Sequence, residues 1–215
     1  MFKQLSIGMG LTVALISAAC TNATEFGSRP ISGVVVDYRA DQSATTVKWG
    51  LQAISDTGQR TFGQAALDPV KNGRAAGGVL SYGGASVPEW VRVTWRTPIN
   101  GETIATTGAK IKTLDFGEVI GDYKIQVASR IPAETLKYAS QGSGRALRLI
   151  FRVKDDGVAL AWNVEETVRY ESGTRSRWYS FHEGDFACDP APSVRCTTGR
   201  PEDAPWYDPK AIRDK

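Results

Sequence analysis

The chain has 215 residues, 41% of them hydrophobic and 6 of them tryptophan, enough apolar material for a packed core and too much for a disordered chain. Its 26 Lys+Arg against 23 Asp+Glu leave a formal charge of +3, without the strong basic excess of a nucleic-acid binder. A single histidine excludes a two-histidine metal centre, so neither metal nor cofactor is expected.

In chain order, Met1 to Gln4 is basic, Leu5 to Ala19 carries no charge, and Cys20 follows. A basic start, a short apolar run and small residues before a cut make an export signal. The run is dotted with Ser6, Gly8, Gly10 and Ser17, and falls short of the about 20 apolar residues a spanning helix needs. Ser17-Ala18-Ala19-Cys20 resembles the lipobox cleaved by lipoprotein signal peptidase, although Leu, Val or Ile is usual where Ser17 stands. The resemblance implies removal of residues 1–19, acylation of Cys20 (palmitate included) and a tether over residues 20–30. The alternative is an ordinary signal cut after Ala19 or Ala23. Three acyl chains hold stably, each buried CH₂ contributing roughly 0.8 kcal/mol. Thr21 stands where an aspartate favours inner-membrane retention, so a lipid anchor facing the periplasm is expected, with the outer membrane favoured.

Strand signals follow. Ile31 to Tyr38 is apolar and β-branched, and Val47 to Ile54 alternates apolar with polar or small residues. Val91, Val93 and Trp95 share one face of a strand ending near Arg96, and Tyr123, Ile125 and Val127 share one face of another. Leu147–Val153 and Val158–Tyr170 form the strongest pair, joined by Lys154-Asp-Asp-Gly157 with a two-residue hairpin signal at Asp156-Gly157. Ile131 to Ala139 reads as a short helix ended by residues 140–144. The glycine-rich stretches 72–78 and 81–86 read as loops, and the chain from Ser172 as an irregular tail over the sheet. The expectation is a mostly β fold: an antiparallel β-sandwich-like or β-rich α+β domain over 31–208. It carries one short helix and a disulfide-stapled C-terminal tail, frayed over 209–215.

With Cys20 assigned to lipid, Cys188 and Cys196 are an even pair across a proline-containing loop, and export makes a disulfide the natural outcome. Catalytic signals are thin. His182 could serve Ser180 as a base, but no G-x-S-x-G elbow is present, and a solvent-facing histidine in an aromatic patch is the simpler reading. Glu165 and Glu166 are strand neighbours pointing to opposite faces, and Asp155 and Asp156 belong to a turn; both pairs read as solvated surface. The glycine-rich residues 72–78 fit no phosphate loop. A non-enzyme is expected.

Arg92 and Arg96 on one strand and Arg148, Arg152 and Lys154 around another would make a basic stripe able to meet an acidic partner if those strands were neighbours; the simpler reading is the solvated face of a sheet. Trp178, Tyr179, Trp206 and Tyr207 are large aromatics that either cap the core or bind a partner, and are the candidate partner-binding residues.

The segment Ala75 to Trp95 resembles a group of Gram-negative lipoproteins in which a Gly-rich loop runs into a Pro-x-x-Val-x-Val-x-Trp strand. Pro88, Val91, Val93 and Trp95 match it, and Asp156-Gly157 stands where the group has an acidic-Gly hairpin. The likeness spans roughly 31–164. Some relatives carry Cys-Cys where Ala85-Ser86 stands. Members of the group are associated with type VI secretion as immunity proteins against phospholipase effectors. The resemblance therefore implies a periplasmic protein that binds and neutralises such a toxin, and carries over no binding residue. The alternative is an envelope structural or assembly lipoprotein recognising glycan or another membrane protein. Either way the expected partners are the membrane, through the lipid, and one protein or envelope component, without nucleic acid.

Overall fold

A computed structural model describes residues 31–69, 78–142, 144–189 and 194–213. The export signal, Cys20, the tether and residues 72–77 of the first glycine-rich stretch lie outside the described residues. Among the described residues there are eleven strands and one α-helix: β1 (Ile31–Ala40), β2 (Lys48–Ser55), β3 (Arg60–Leu67), β4 (Gly78–Ala85), β5 (Trp90–Ile104), β6 (Lys110–Gln126), α1 (Ala133–Ser140), β7 (Arg145–Val153), β8 (Val158–Arg169), β9 (Arg175–Gly184), β10 (Val194–Cys196) and β11 (Ile212–Arg213).

The strands form two sheets. The larger has the order β10-β9-β8-β7-β1-β4, with β11 also pairing β8, and the smaller the order β3-β2-β5-β6. All pairs are antiparallel except β1 with β7 and β10 with β9. Alternation decides which face goes inward. Val91, Val93 and Trp95 of β5 pack with Leu51 and Ala53 of β2 against Val34 and Val36 of β1 and Leu147 and Leu149 of β7, all in one buried cluster. Tyr38 sits between the rings of Phe62 and Phe151, with centroids 4.7 and 4.8 Å away, tying β3 of one sheet to β1 and β7 of the other. The fold is thus the expected mostly β sandwich with one short α-helix.

Three expectations about order along the chain are corrected. Residues 81–85, read as loop, belong to β4, because pairing with β1 uses only backbone groups and needs no apolar side chains. The stretch after Ser172 is not irregular: β9 is a ten-residue strand paired along β8. Ile212 and Arg213 pair with Arg169 and Val168, so the chain does not fray after residue 208 through Arg213.

The hairpin after β7 forms, but one residue earlier than the Asp156-Gly157 signal: the Lys154 amide donates to the Gly157 carbonyl at 2.8 Å, so Asp155 and Asp156 are its two central residues and Gly157 closes it. Asp155 within it is not merely solvated. It accepts from the Thr45 amide (2.9 Å), the Thr45 and Thr46 hydroxyls (both 2.7 Å) and the buried Lys48 ammonium. The Lys48 hydrogen bond, then those of the threonines, hold its carboxyl well below the usual range. Lys48 in turn lies over the Trp95 ring, so this turn fastens the end of β7 to the middle of β5.

Cys188 and Cys196 are bonded, with Cα atoms 6.4 Å apart. The bond holds β10 beside β9 and brings Asp189 onto Arg152, whose guanidinium also lies 4.0 Å from the Phe186 ring centroid. Removing the crosslink by Cys188→Ser with Cys196→Ser is expected to cost about 2–3 kcal/mol, the loop-entropy value for so short a loop. Urea denaturation of the variant against the unreduced parent measures it.

Candidate functional site

The sequence candidates settle first. Trp178 is 1% exposed and Tyr179 is also buried, so neither offers a face to a partner. Trp178 meets Trp206 edge-on (5.3 Å) and Tyr207 (5.4 Å), while Tyr179 lies under the Arg148 guanidinium. Trp206 and Tyr207 are half-buried caps on Trp178. The aromatic tail closes one end of the larger sheet, because an indole at that end needs a cover and the returning chain supplies it.

His182 is buried, not solvent-facing. Its Nε2 lies 3.1 Å from the Phe186 carbonyl, which can only accept, so Nε2 carries the proton. Nδ1 then accepts from the Asn163 amide at 3.1 Å. The neighbouring Phe181, in the core, has φ 53°, a left-handed conformation at the register irregularity between β8 and β9. Ser180 donates to the Val164 carbonyl, not to His182. Burial, ahead of the nearby Arg148 and Arg152 charges, lowers the His182 pKa against the opposing pull of the Phe186 carbonyl and Asp189. A lowered folded pKa means that the unfolded chain takes the proton first. The resulting stability is therefore full above about pH 6.5 and is lost as pH falls through the folded pKa. His182→Gln is expected to flatten the fall of stability below about pH 6.5, read as urea midpoints along a pH series.

Glu165 and Glu166 point to opposite faces, as expected, but neither is solvated surface. Glu165 meets Arg148 (3.7 Å) and Arg177 (3.6 Å), and Glu166, buried, meets Arg145 (3.3 Å) and Arg213 (3.8 Å). The two basic rows do not merge into a stripe, because β5 and β7 lie in different sheets. Arg92 pairs with Asp122 and Arg96 donates to the Gly117 carbonyl at 3.0 Å, while Arg148 pairs with Asp37 and Arg152 with Asp189. Among the described residues no group of three or more His, Cys, Asp or Glu is placed to hold a metal ion.

What stands out is an arm that the sequence pattern did not reveal. β2 covers β5 only as far as Arg96, yet β5 runs on to Ile104 and returns as β6, pairing from Pro98↔Phe116 to Ile104↔Lys110. The result is a two-stranded ribbon extending beyond the sheet. Its turn is closed by the Ala105 amide donating to the Ala109 carbonyl, with Gly108 at φ +81° where a side chain would be strained. Two register irregularities mark its base, beside Arg96, and the Phe116 ring occupies the space a side chain at Gly50 (φ +54°) would need.

Six of the eight large hydrophobic side chains exposed among the described residues lie on this hairpin: Ile99 (51%), Ile104 (72%), Ile111 (47%), Phe116, Val119 and Ile120 (61%). Cross-strand partners share a face, so Ile99 and Ile111 lie on one side and Ile104 and Phe116 on the other. Scattered exposed apolar groups are ordinary; a concentration on one protruding element makes that element the candidate interaction surface. A two-stranded ribbon is at best marginally stable alone in water, which a partner on its faces would offset. The sequence carried one usable signal: β-branched residues at 97, 99, 103, 104, 106, 107, 111 and 113 around Thr107-Gly108.

Compared with known proteins, the chain matches no protein-family model, no curated protein and no solved structure.

Proposed function

We propose that the chain is an exported, lipid-anchored, non-catalytic binding protein of the periplasmic face of the envelope, the outer membrane favoured, and that it neutralises a type VI secretion phospholipase effector. The apolar arm carries this reading. A protein that works by contact needs a protruding apolar surface and no assembled nucleophile, and Ile99, Ile104 and Ile111 provide such a surface. The uncharged run before Cys20 and the likeness of Ala75–Trp95 to immunity lipoproteins supply the location and the class of partner. Tethering by lipid at the surface the toxin attacks raises the effective concentration of the inhibitor there.

The experiment is co-expression with a phospholipase effector encoded beside the gene and routed to the periplasm. The parent chain is expected to restore growth. The triple variant Ile99→Asp, Ile104→Asp, Ile111→Asp is expected to fail while accumulating normally. Equal killing with and without the parent chain defeats the immunity reading, and full protection by the triple variant removes the arm from it.

A further inference from the structure

We infer that the outer edge of β6 is a self-association edge, two copies of the chain pairing antiparallel along Lys110–Phe116 with Leu114 of each facing Leu114 of the other. The inference is independent of the immunity reading. β6 closes the smaller sheet, and among the described residues its outer side pairs with no strand. An uncovered regular edge is a template for another strand.

The hydrogen-bond phase shows which residues serve that edge. The Ala105 amide donates to the Ala109 carbonyl at 2.9 Å, and antiparallel pairs alternate between bonded and non-bonded. The bonded pairs of the ribbon are therefore Thr103/Ile111, Gly101/Thr113 and Ile99/Asp115. Lys110, Lys112, Leu114 and Phe116 turn their amides and carbonyls outward. Pro98, which has no amide hydrogen to give, stands opposite Phe116 at a position where the ribbon asks for none. Both register irregularities lie nearer the sheet than Pro98, so the edge from Lys110 to Phe116 runs unbroken, roughly 20 Å.

Side chains then choose the register. Pairing centred on Lys112 sets two ammonium groups against each other, and pairing centred on Asp115 sets two carboxylates against each other. A centre at Thr113 lays Ile111 against Asp115. Centred on Leu114, the pairing joins leucine to leucine, the Lys112 ammonium to the Phe116 ring, and the Thr113 hydroxyl to the Asp115 carboxylate. No like charges oppose in this register, and each charged group meets a favourable neighbour. Edge lysines usually block such pairing; here Lys112 contributes to it. The faces carrying Ile99, Ile104 and Ile111 stay open for a different partner.

The test is Leu114→Cys in the full chain, read as covalent dimer on a non-reducing gel. Opposed residues of a bonded antiparallel pair sit about 5.5 Å apart at Cα, within disulfide range; the native Cys188 and Cys196 are already paired, and Cys20 is replaced by Ser in every chain compared. Dimer is expected at least about tenfold above that of Ile99→Cys, whose backbone faces away from the edge. Leu114→Pro removes only an outward amide hydrogen, and is expected to sediment as monomer with an unchanged far-ultraviolet spectrum, where the parent forms a concentration-dependent dimer. No excess of dimer at Leu114→Cys, a stronger crosslink at Thr113→Cys, or crosslinking only to a different protein would each overturn the proposal.

Discussion

Gly121→Ala is expected to destabilise the fold by about 3 kcal/mol, lowering the melting temperature by roughly 6–12 °C. A Cβ at Gly121 would lie 1.9 Å from Cε2 and 2.3 Å from Cζ2 of Trp95, overlapping the indole. That ring cannot swing aside. It is 5% exposed, stacked on Tyr123 at 5.1 Å, and covered by the Lys48 ammonium that the Asp155 carboxylate holds. The added methyl must displace β6 from β5 or force Trp95 off its rotamer, and both disturb the base of the arm. Gly101→Ala is the matched control: its Cβ would meet only the Thr113 hydroxyl, on the ribbon beyond the sheet, where the threonine can rotate. A control loss below about 0.5 kcal/mol with a large Gly121 loss identifies packing against Trp95, and not strand glycine content, as the cause. Equal losses would contradict it.

The second large effect is expected at Glu166. Its carboxylate is 5% exposed and holds two guanidiniums, Arg145 from the neighbouring strand and Arg213 from the C-terminal β11. Arg213 also pairs with Glu202 at 2.6 Å and lies over Trp178 and Tyr207, so Glu166 anchors the chain end that covers Trp178. Glu166→Ala removes the buried carboxylate that joins these two half-buried guanidiniums, each of which keeps another partner, and is expected to cost about 2 kcal/mol. A double-mutant cycle with Arg213→Ala should show the two losses to be strongly non-additive. A Glu166→Ala loss below about 1 kcal/mol would place the pair with ordinary exposed ion pairs.

These two sites show what was and was not legible in the sequence. Strands β1, β2, β7, β8 and the sheet-covered part of β5 announced themselves because one face of each meets the core; Val91, Val93 and Trp95 are buried as their alternation requires. β3 was hidden by Gly63, Ala65 and Ala66, which dilute its apolar face, and β4 by glycines that pair through backbone alone. β9 was hidden by Arg175 and Arg177 at its start and by Phe181, whose positive φ breaks the alternation. The arm escaped for a different reason. Its apolar groups lie on both faces of a ribbon with no core to meet, so no inside-outside pattern exists to read. Buried charge was equally opaque: Lys48, Arg148 and Glu166 are tolerated inside because partners arrive from distant parts of the chain, Lys48 from Asp155 and Arg148 from Asp37. Candidate aromatics were found by type, but only the fold shows that Trp178 and Tyr179 are covered.

The arm is proposed as the surface that meets the toxin, and titration calorimetry reads such a contact without any intermediary. The full chain would be titrated with a catalytically inactivated form of the neighbouring phospholipase effector. Saturable binding is expected, weakened about a thousandfold by Ile99→Asp, Ile104→Asp, Ile111→Asp together, at roughly one tenfold step for each isoleucine replaced. Unchanged affinity in the triple variant would rule out the arm as the binding surface, and absence of binding by the parent chain would rule out the partner.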